Sequence, residues 1–224
     1  MIFNMAGSTP RLSVFDTFKT KKDEPTGEAL RQRSIIITLA TQDNPTQTTR
    51  TAISQKIATD NGNVWKNIYS GIFRDLDEIL IPLGIVKETG RLPLKRGPKA
   101  LQEKGIPFYQ LTDSGLLVAM SLVEFSQREK ILERFFSQVQ IDAEFLMELQ
   151  VIIKFVPRFF YSLLRNYIQA YCDGKFSDLL PLERTKFLSV SKEMVMTQKE
   201  FLDAFTGMAK QEKEKTLRFL DEIR

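Results

Sequence analysis

The sequence contains no histidine and a single cysteine, Cys172, among its 224 residues. Histidine is the commonest general base and zinc ligand in proteins, and its charge changes near neutral pH. One cysteine cannot form an intrachain disulfide or a thiolate metal cluster. The sequence also lacks paired-carboxylate, phosphate-loop and nucleophile-elbow patterns. We therefore expect a protein that is not an enzyme, with no catalytic residue, no metal and no cofactor.

Long hydrophobic runs are lacking as well. The longest uncharged apolar run, residues 114–123, has 10 residues, about half of the roughly 20 that a membrane-spanning helix needs. Near the N-terminus, Arg11, Asp16 and the cluster Lys19 to Lys22 interrupt any apolar signal-peptide core. With 42% hydrophobic residues, the chain has enough apolar side chains for a buried core. These features predict a globular cytoplasmic protein with no membrane partner.

Positive charge is concentrated in one short segment. The first 116 residues hold 16 Lys/Arg and 12 Asp/Glu, whereas residues 117–224 hold 16 of each. The segment Lys87 to Lys104 has six basic and two acidic residues, a balance of +4 that equals the net charge of the chain. Its basic residues are Lys87, Arg91, Lys95, Arg96, Lys99 and Lys104. Such a concentration indicates a surface for a polyanion, and the alternative is a solvated charged loop.

The first 27 residues are predicted to form a flexible N-terminal arm. Prolines, a glycine and a lysine cluster break any long hydrophobic period in this segment. The apolar side chains that it can bury are Leu12, Val14, Phe15 and Phe18. The arm either lies on the protein through these side chains or extends toward DNA through its lysines.

Residues 28–122 show the order helix, helix, turn, helix, strand, basic loop, strand, helix. Periodicity and turn residues predict helices at Glu28 to Ala40, about Thr48 to Ala58 and Val64 to about Ile81, strands at Ile85 to Glu88 and Pro107 to Leu111, and a last helix capped by Thr112 or Asp113. The side chains that the first helix is predicted to bury are Leu30, Ile35, Ile36, Ile37 and Leu39. Glycines and prolines between the two strands exclude a helix through the whole basic segment. This is the order of a winged helix-turn-helix domain.

Two short segments resemble a known family. Residues 76–86, LDEILIPLGIV, resemble the end of the recognition helix and the turn into the first wing strand of winged-helix regulators. Residues 109–115, YQLTDSG, resemble the aromatic-x-Leu-Thr-x-x-Gly segment that closes the wing in MarR- and PadR-like transcriptional regulators. The resemblance covers Glu28 to Leu122 and implies a winged helix-turn-helix DNA-binding domain. The insert between the strands is longer than the family pattern, and the chain after Leu122 has no counterpart in it.

In such a domain the third helix enters the major groove, and the hairpin, or wing, contacts the backbone or the minor groove. The polar face of the third helix is predicted to supply the DNA contacts Asn63, Lys66, Asn67, Ser70 and Arg74. Thr48, Thr49 and Arg50 are predicted phosphate contacts at the start of the second helix, because helix N-termini favour anions. The wing is predicted to supply Arg91, Lys95, Arg96 and Lys99.

Residues 123–224 are predicted to form a helical C-terminal domain. Its helices are predicted at Leu116 to about Val139, Ala143 to Val156, Pro157 to Asp173-Gly174, Leu182 to about Met196 and Lys199 to the C-terminus. The aromatic content of this half leaves three interpretations open: a helical-bundle core, a pocket for a small apolar ligand, or a self-association surface. Of the two functional uses we favour dimerisation, because DNA regulators of this type place two recognition helices on successive half-sites.

The favoured function is a transcriptional regulator that binds double-stranded DNA as a homodimer, in the cytoplasm and associated with the nucleoid. The alternative keeps the fold but makes it a protein-interaction or scaffold module without sequence-specific DNA binding. Six basic residues in one wing favour DNA, since a scaffold does not need them. The lack of histidine and of a catalytic set disfavours an enzyme.

Overall fold

The computed structural model describes residues 10–21, 23–60, 62, 65–94, 99–122 and 125–222. As the hydrophobic pattern predicts, this described chain is mainly helical and carries a two-stranded antiparallel sheet. None of the described helices is both long enough and apolar enough to cross a membrane.

The first half of the chain contains helices and the sheet. In chain order the elements are α1 (Gly27–Thr41), α2 (Arg50–Asp60), α3 (Trp65–Arg74), β1 (Val86–Leu92), α4 (Lys99–Lys104), β2 (Ile106–Leu111) and α5 (Asp113–Leu122). A short 3-10 turn, Pro45–Gln47, precedes α2, and a wider π-helical segment, Asp75–Leu80, continues α3. The predicted third helix therefore exists over nearly its predicted length.

The second half is helical throughout its regular elements. They are α6 (Phe125–Gln138), α7 (Ala143–Phe155), α8 (Pro157–Cys172), α9 (Arg184–Ser189), α10 (Lys192–Gly207) and α11 (Lys210–Asp221). Helices α7 and α8 match their predicted bounds because Asp142 caps the first, Pro157 begins the second and Asp173-Gly174 ends it. The predicted helices Leu182 to about Met196 and Lys199 to the C-terminus were wrong. In the structure α9 ends at Ser189, and α10 runs through Met196 to Gly207.

Helix α1 begins where Thr26 caps it: the backbone N–H of Ala29 donates to Thr26 Oγ1 at 3.1 Å. Its buried side includes Ile35, Ile36 and Leu39, as predicted. The prediction that Leu30 is buried was wrong, since this side chain is 50% exposed. At about 3.6 residues per turn, Leu30 lies on the side of the helix opposite to Leu39.

The antiparallel hairpin pairs Val86 with Leu111 and Leu92 with Ile106. A bulge between Glu88 and Gly90 interrupts the register, and pairing resumes beyond it. Strand β1 is therefore longer than the predicted Ile85 to Glu88. The insert between the strands is not a plain loop, because its described C-terminal part forms α4.

The described part of the N-terminal segment lies on the protein. Leu12 and Val14 are fully buried in the core, and the backbone N–H of Ser13 donates to Gln32 Oε1 of α1 at 2.8 Å. Thr17 forms an isolated antiparallel bridge with Pro25. Of the two alternatives for the predicted arm, residues 10–21 and 23–27 adopt the first, in which apolar side chains dock the segment.

A single core cluster runs through both halves of the chain. It contains residues of α1, α3 and α5 together with Phe145, Leu164, Tyr167 and Phe187. Helix α5 packs against both α1 and α8, so the core is continuous across the predicted boundary after Leu122. Helices α10 and α11, which are described throughout, contain no buried residue.

Candidate nucleic-acid interface

The basic hairpin keeps exposed cations on its surface. Arg91 is exposed, and its Nε lies 2.7 Å from Glu88 Oε1 in an ion pair. Lys99 is 91% exposed, with Nζ 4.0 Å from Glu103 Oε1, which is the outer limit of an ion pair. Lys87 and Lys104 are exposed and form no ion pair within the part of the chain that the structure describes. These two lysines are therefore exposed cations without an ion-pair partner among the described residues.

Arg50 holds α2, α3 and β2 together. Its guanidinium pairs with the carboxylate of Asp77 in the π-helical segment. The carbon Cζ lies 4.1 Å from the ring centroid of Phe73 and 5.2 Å from that of Tyr109, distances at which a cation is attracted to an aromatic face. Arg50 was predicted as a phosphate contact, and this stays a prediction. The side chain is committed to a carboxylate and two rings, and it is only 25% exposed.

Thr48 and Thr49 lie directly before α2 and contact the hairpin. Both are buried, at 2% and 7% exposure. The backbone N–H of Tyr109 donates to the carbonyl of Thr48 at 3.1 Å, and Thr49 forms an antiparallel bridge with Phe108. These bonds attach the start of α2 to β2. The phosphate contacts predicted at Thr48 and Thr49 stay predictions, and helix α2 itself begins at Arg50.

A buried ion pair fixes α1 against the end of α3. Asp75 is fully buried, and Arg31 Nε donates to its Oδ2 at 2.8 Å. The α3 stripe continues from Ile72 through Leu76 to Leu80, all fully buried. The ion pair and the stripe together determine which face of α3 remains exposed.

The exposed face of α3 carries some of the predicted groove contacts. Ser70 is exposed, and Arg74 is 52% exposed with Nη2 3.7 Å from Asp75 Oδ1. Lys66 and Asn67 lie within α3, but their side chains are outside the described residues. Asn63, Lys95 and Arg96 also lie outside the described residues.

Tyr109 lies at the centre of the α2–α3–β2 junction. Burial raises the pKa of Tyr109 to about 12, against the opposing effect of the Arg50 charge. The phenol is therefore neutral at physiological pH. Its hydroxyl has no hydrogen-bond partner among the described residues. Sequence analysis missed this role, although the aromatic residue at the start of the YQLTDSG segment was its signal.

The aromatic residues of the second half form core contacts. Phe187 packs against Phe145, Phe160 and Tyr167 with ring centroids 5.4 to 6.5 Å apart. An open apolar groove of about 460 Å³ lies beside them. Its apolar lining residues are Phe145, Leu149, Val151, Ile152, Leu163, Phe187 and Leu188.

Comparisons with family models, with curated proteins and with solved structures return no match to this chain.

Proposed function

We propose that residues 28–122 form a winged helix-turn-helix domain and that the protein is a transcriptional regulator that binds double-stranded DNA. The observation that carries the proposal is the basic hairpin directly after α3. It holds a charge excess equal to that of the whole chain, and it presents Lys87 and Lys104 without carboxylate partners in the described chain. Cations of this kind are what phosphate neutralisation requires.

The arrangement around Arg50 supports simultaneous contacts by helix and hairpin. Arg50 and the Thr49–Phe108 bridge attach the hairpin to α2 and α3. A hairpin fixed in this way is a rigid second contact beside a helix in the major groove. In the proposed complex, Lys66, Asn67, Ser70 and Arg74 face the groove. The hairpin lysines and Arg91 contact the phosphates, together with Lys95 and Arg96.

Homodimerisation through α10 and α11 is the second part of the proposal. Both helices lack buried residues, although they carry large apolar side chains that are 38% to 63% exposed. We call these the terminal apolar patch: Met196, Phe201, Leu202, Leu217, Phe219 and Leu220. A dimer places two copies of α3 on successive half-sites.

The test is a DNA-binding titration of a triple variant, Lys87→Ala, Lys99→Ala and Lys104→Ala, over a range of salt concentrations. Each lost phosphate contact lowers the slope of log K against log salt by about 0.9. We therefore expect weaker binding to all duplex sequences and a slope smaller by about 2 to 3. Fluorescence anisotropy with a specific and a random duplex measures both quantities.

The matched control removes three exposed lysines that lie outside both the hairpin and the terminal helices, with Lys130→Ala, Lys154→Ala and Lys175→Ala. It changes the net charge equally and leaves the hairpin intact, so we expect the wild-type slope. Equal slopes for the hairpin variant and the control would contradict the proposed interface.

A protein-interaction module is the second candidate. Helix α7 presents an apolar stripe on its surface, with Met147, Val151 and Phe155 exposed at 57% to 71%. Spacing by four residues places these side chains on one helix face. This function predicts no measurable affinity for duplex DNA at physiological salt, so the same titration separates the two candidates.

A further inference from the structure

The partly buried arginines fall into two groups. Arg31, Arg50 and Arg134 each lie within 4 Å of a carboxylate, on Asp75, Asp77 and Asp43 respectively. Arg33 of α1 and Arg128 of α6 are also partly buried. Neither they nor the exposed Arg165 of α8 form an ion pair within the described chain. Partly buried charges are normally paired, so this group needs another explanation.

Arg33 and Arg165 share one aromatic ring. Their Cζ atoms lie 5.7 Å and 5.1 Å from the ring centroid of Phe15. Arg33 also donates from Nε to the carbonyl of Val14, which fixes its position on the docked N-terminal segment. Stacking on a ring uses the face of a guanidinium and leaves its N–H edge available for an oxyanion.

Arg128 of α6 is the third arginine of this group, and it contacts α8. Its Cζ lies 4.3 Å from the ring centroid of Tyr161, and its buried Nε has no hydrogen-bond partner among the described residues. Tyr161 precedes Arg165 by four residues in α8, so the two side chains share a helix face. The carboxylate of Glu129 acts on Tyr161, but among the described residues it forms no ion pair with Arg128.

Arg165 acts electrostatically on both neighbours. Burial lowers the pKa of Arg33, and the positive charge of Arg165 lowers it further. Burial is also the main cause that lowers the pKa of Arg128, with Arg165 adding to it and Tyr161 opposing. Arg33 and Arg165 thus lie at the same ring, and Arg128 lies over Tyr161, one turn before Arg165 in α8. None of the three guanidinium groups forms an ion pair in the described chain. An oxyanion with two negative charges removes this repulsion and accepts bidentate hydrogen bonds.

We propose that Arg33, Arg128 and Arg165 form a binding site for a phosphate group where α1, α6 and α8 meet. The group comes either from a small phosphate-bearing solute or from the DNA backbone. The site lies outside the proposed groove and hairpin contacts and does not depend on them. A phosphate bound here contacts a helix of the first half and two helices of the second.

The first measurement is thermal unfolding of the full chain in inorganic phosphate and in sodium chloride at matched ionic strength. A ligand that binds only the folded state raises the Tm. We expect a rise of about 2 to 4 °C in phosphate for the wild type and none for Arg165→Gln. Arg165 is exposed, so its replacement leaves the fold intact. Arg218→Gln, in exposed α11, is the matched control and keeps the full rise.

A second variant separates charge from geometry. Arg128→Lys keeps the positive charge but loses the planar guanidinium, so we expect it to lose more than half of the phosphate-dependent rise in Tm. An undiminished rise in Arg165→Gln shows that the phosphate acts elsewhere and overturns the site.

Duplex DNA distinguishes the two sources of the phosphate group. A wild-type Tm that rises in inorganic phosphate, with DNA affinity unchanged by Arg165→Gln, supports a small solute. A salt slope lowered by about 0.9 in Arg165→Gln supports a backbone phosphate. If phosphate and chloride give the same Tm and Arg165→Gln binds DNA like the wild type, the site is overturned, whatever the hairpin variant shows.

Discussion

The α1–β2 region and the two terminal helices are held in place in opposite ways. In the first region, ion pairs and aromatic contacts tie each element to another: Arg31 bonds to Asp75 across α1 and the end of α3, and Arg50 joins α2 to the same segment. In the terminal helices the side-chain bonds are local. Glu212 accepts from the backbone N–H of Ala209 at 2.8 Å, and Lys213 Nζ donates to the carbonyl of Thr206 at 3.1 Å.

This difference indicates where each region obtains its stability. Isolated helices shorter than about 12 to 15 residues are marginal in water, and most helices in proteins depend on burial of an apolar face. Helices α10 and α11 have 16 and 12 residues and bury none of them within the chain. Only the start of α10 contacts the core, through the partly buried Met194 and Val195. The proposed dimer surface would stabilise the rest of these two helices, whereas α1–β2 has its stabilising contacts within the protomer.

The largest effect is expected from Arg31→Met. The substitution leaves the fully buried Asp75 without its closest partner, because Arg74 lies farther away at 3.7 Å and is half exposed. Breaking a buried pair by removing one partner costs about 3 to 5 kcal/mol. Urea unfolding monitored by circular dichroism measures the loss.

Lys56→Met is the control for this variant, because the Lys56–Asp60 pair is about half exposed on both sides. Surface pairs of this kind contribute about 0 to 1 kcal/mol. Similar urea midpoints for Arg31→Met and Lys56→Met would contradict the structural role of the buried pair.

Two glycine substitutions test the same difference between the regions, and their expected effects on stability are of intermediate size. A Cβ at Gly115 in α5 would lie 2.1 Å from the backbone oxygen of Ile85, whereas a Cβ at Gly207 in α10 meets nothing within 4 Å. We expect Gly115→Ala to cost at least about 1 to 3 kcal/mol by overpacking. Gly207→Ala should stabilise the chain by about 0.4 to 1 kcal/mol. Thermal unfolding of both variants checks the signs, and a destabilised Gly207→Ala would show that α10 is packed.

A smaller effect on stability is expected from the double variant Phe219→Ser and Leu220→Ser. Both side chains belong to the terminal apolar patch and are 63% and 41% exposed. We expect the unfolding free energy of the protomer to change by no more than about 0.5 kcal/mol, while the proposed dimer dissociates. Sedimentation equilibrium measures the association. Leu30→Ser, at a half-exposed position of α1 outside the patch, should leave the association unchanged. A wild-type protein that stays monomeric at high concentration would exclude the dimer.

The smallest effect is expected in the rate at which a disulfide reagent labels the thiol of Cys172. Its side chain is 1% exposed, and burial raises the pKa of the thiol to about 12. At pH 8 the thiol is therefore protonated as well as inaccessible, so a disulfide reagent should label it only through unfolding. The terminal-patch double variant should label at the wild-type rate and Arg31→Met faster. Fast labelling of the folded wild type would show that the end of α8 opens locally.

The sequence predicts the elements that depend on local signals. Helix α8 begins at Pro157 and ends before Asp173-Gly174. The paired strands β1 and β2 differ in hydrophobic pattern from the helices around them. Thr112 was named as a cap of α5, and its Oγ1 accepts from the backbone N–H of Gly115 at 3.1 Å. The winged-helix arrangement and its use in DNA binding remain predictions.

Side-chain roles that depend on tertiary contacts could not be predicted in the same way. Arg50 has the sequence context of a phosphate contact, and only its position relative to Asp77 and Phe73 shows that it is occupied. Arg33, Arg128 and Arg165, which form no ion pair among the described residues, come from α1, α6 and α8 and are 37 or more residues apart in the sequence. Neither periodicity nor composition relates such distant positions.

The shared core has a consequence for the protein as a whole. Helix α5 packs between the half that contains the hairpin and the helices around α8, and its residues Leu116 to Met120 are fully buried. Close-packed interiors have low compressibility and transmit strain. The two halves should therefore unfold as one cooperative unit, and a shift of α8 reaches α1 through a single layer of side chains. Free-energy coupling between the halves then requires no hinge.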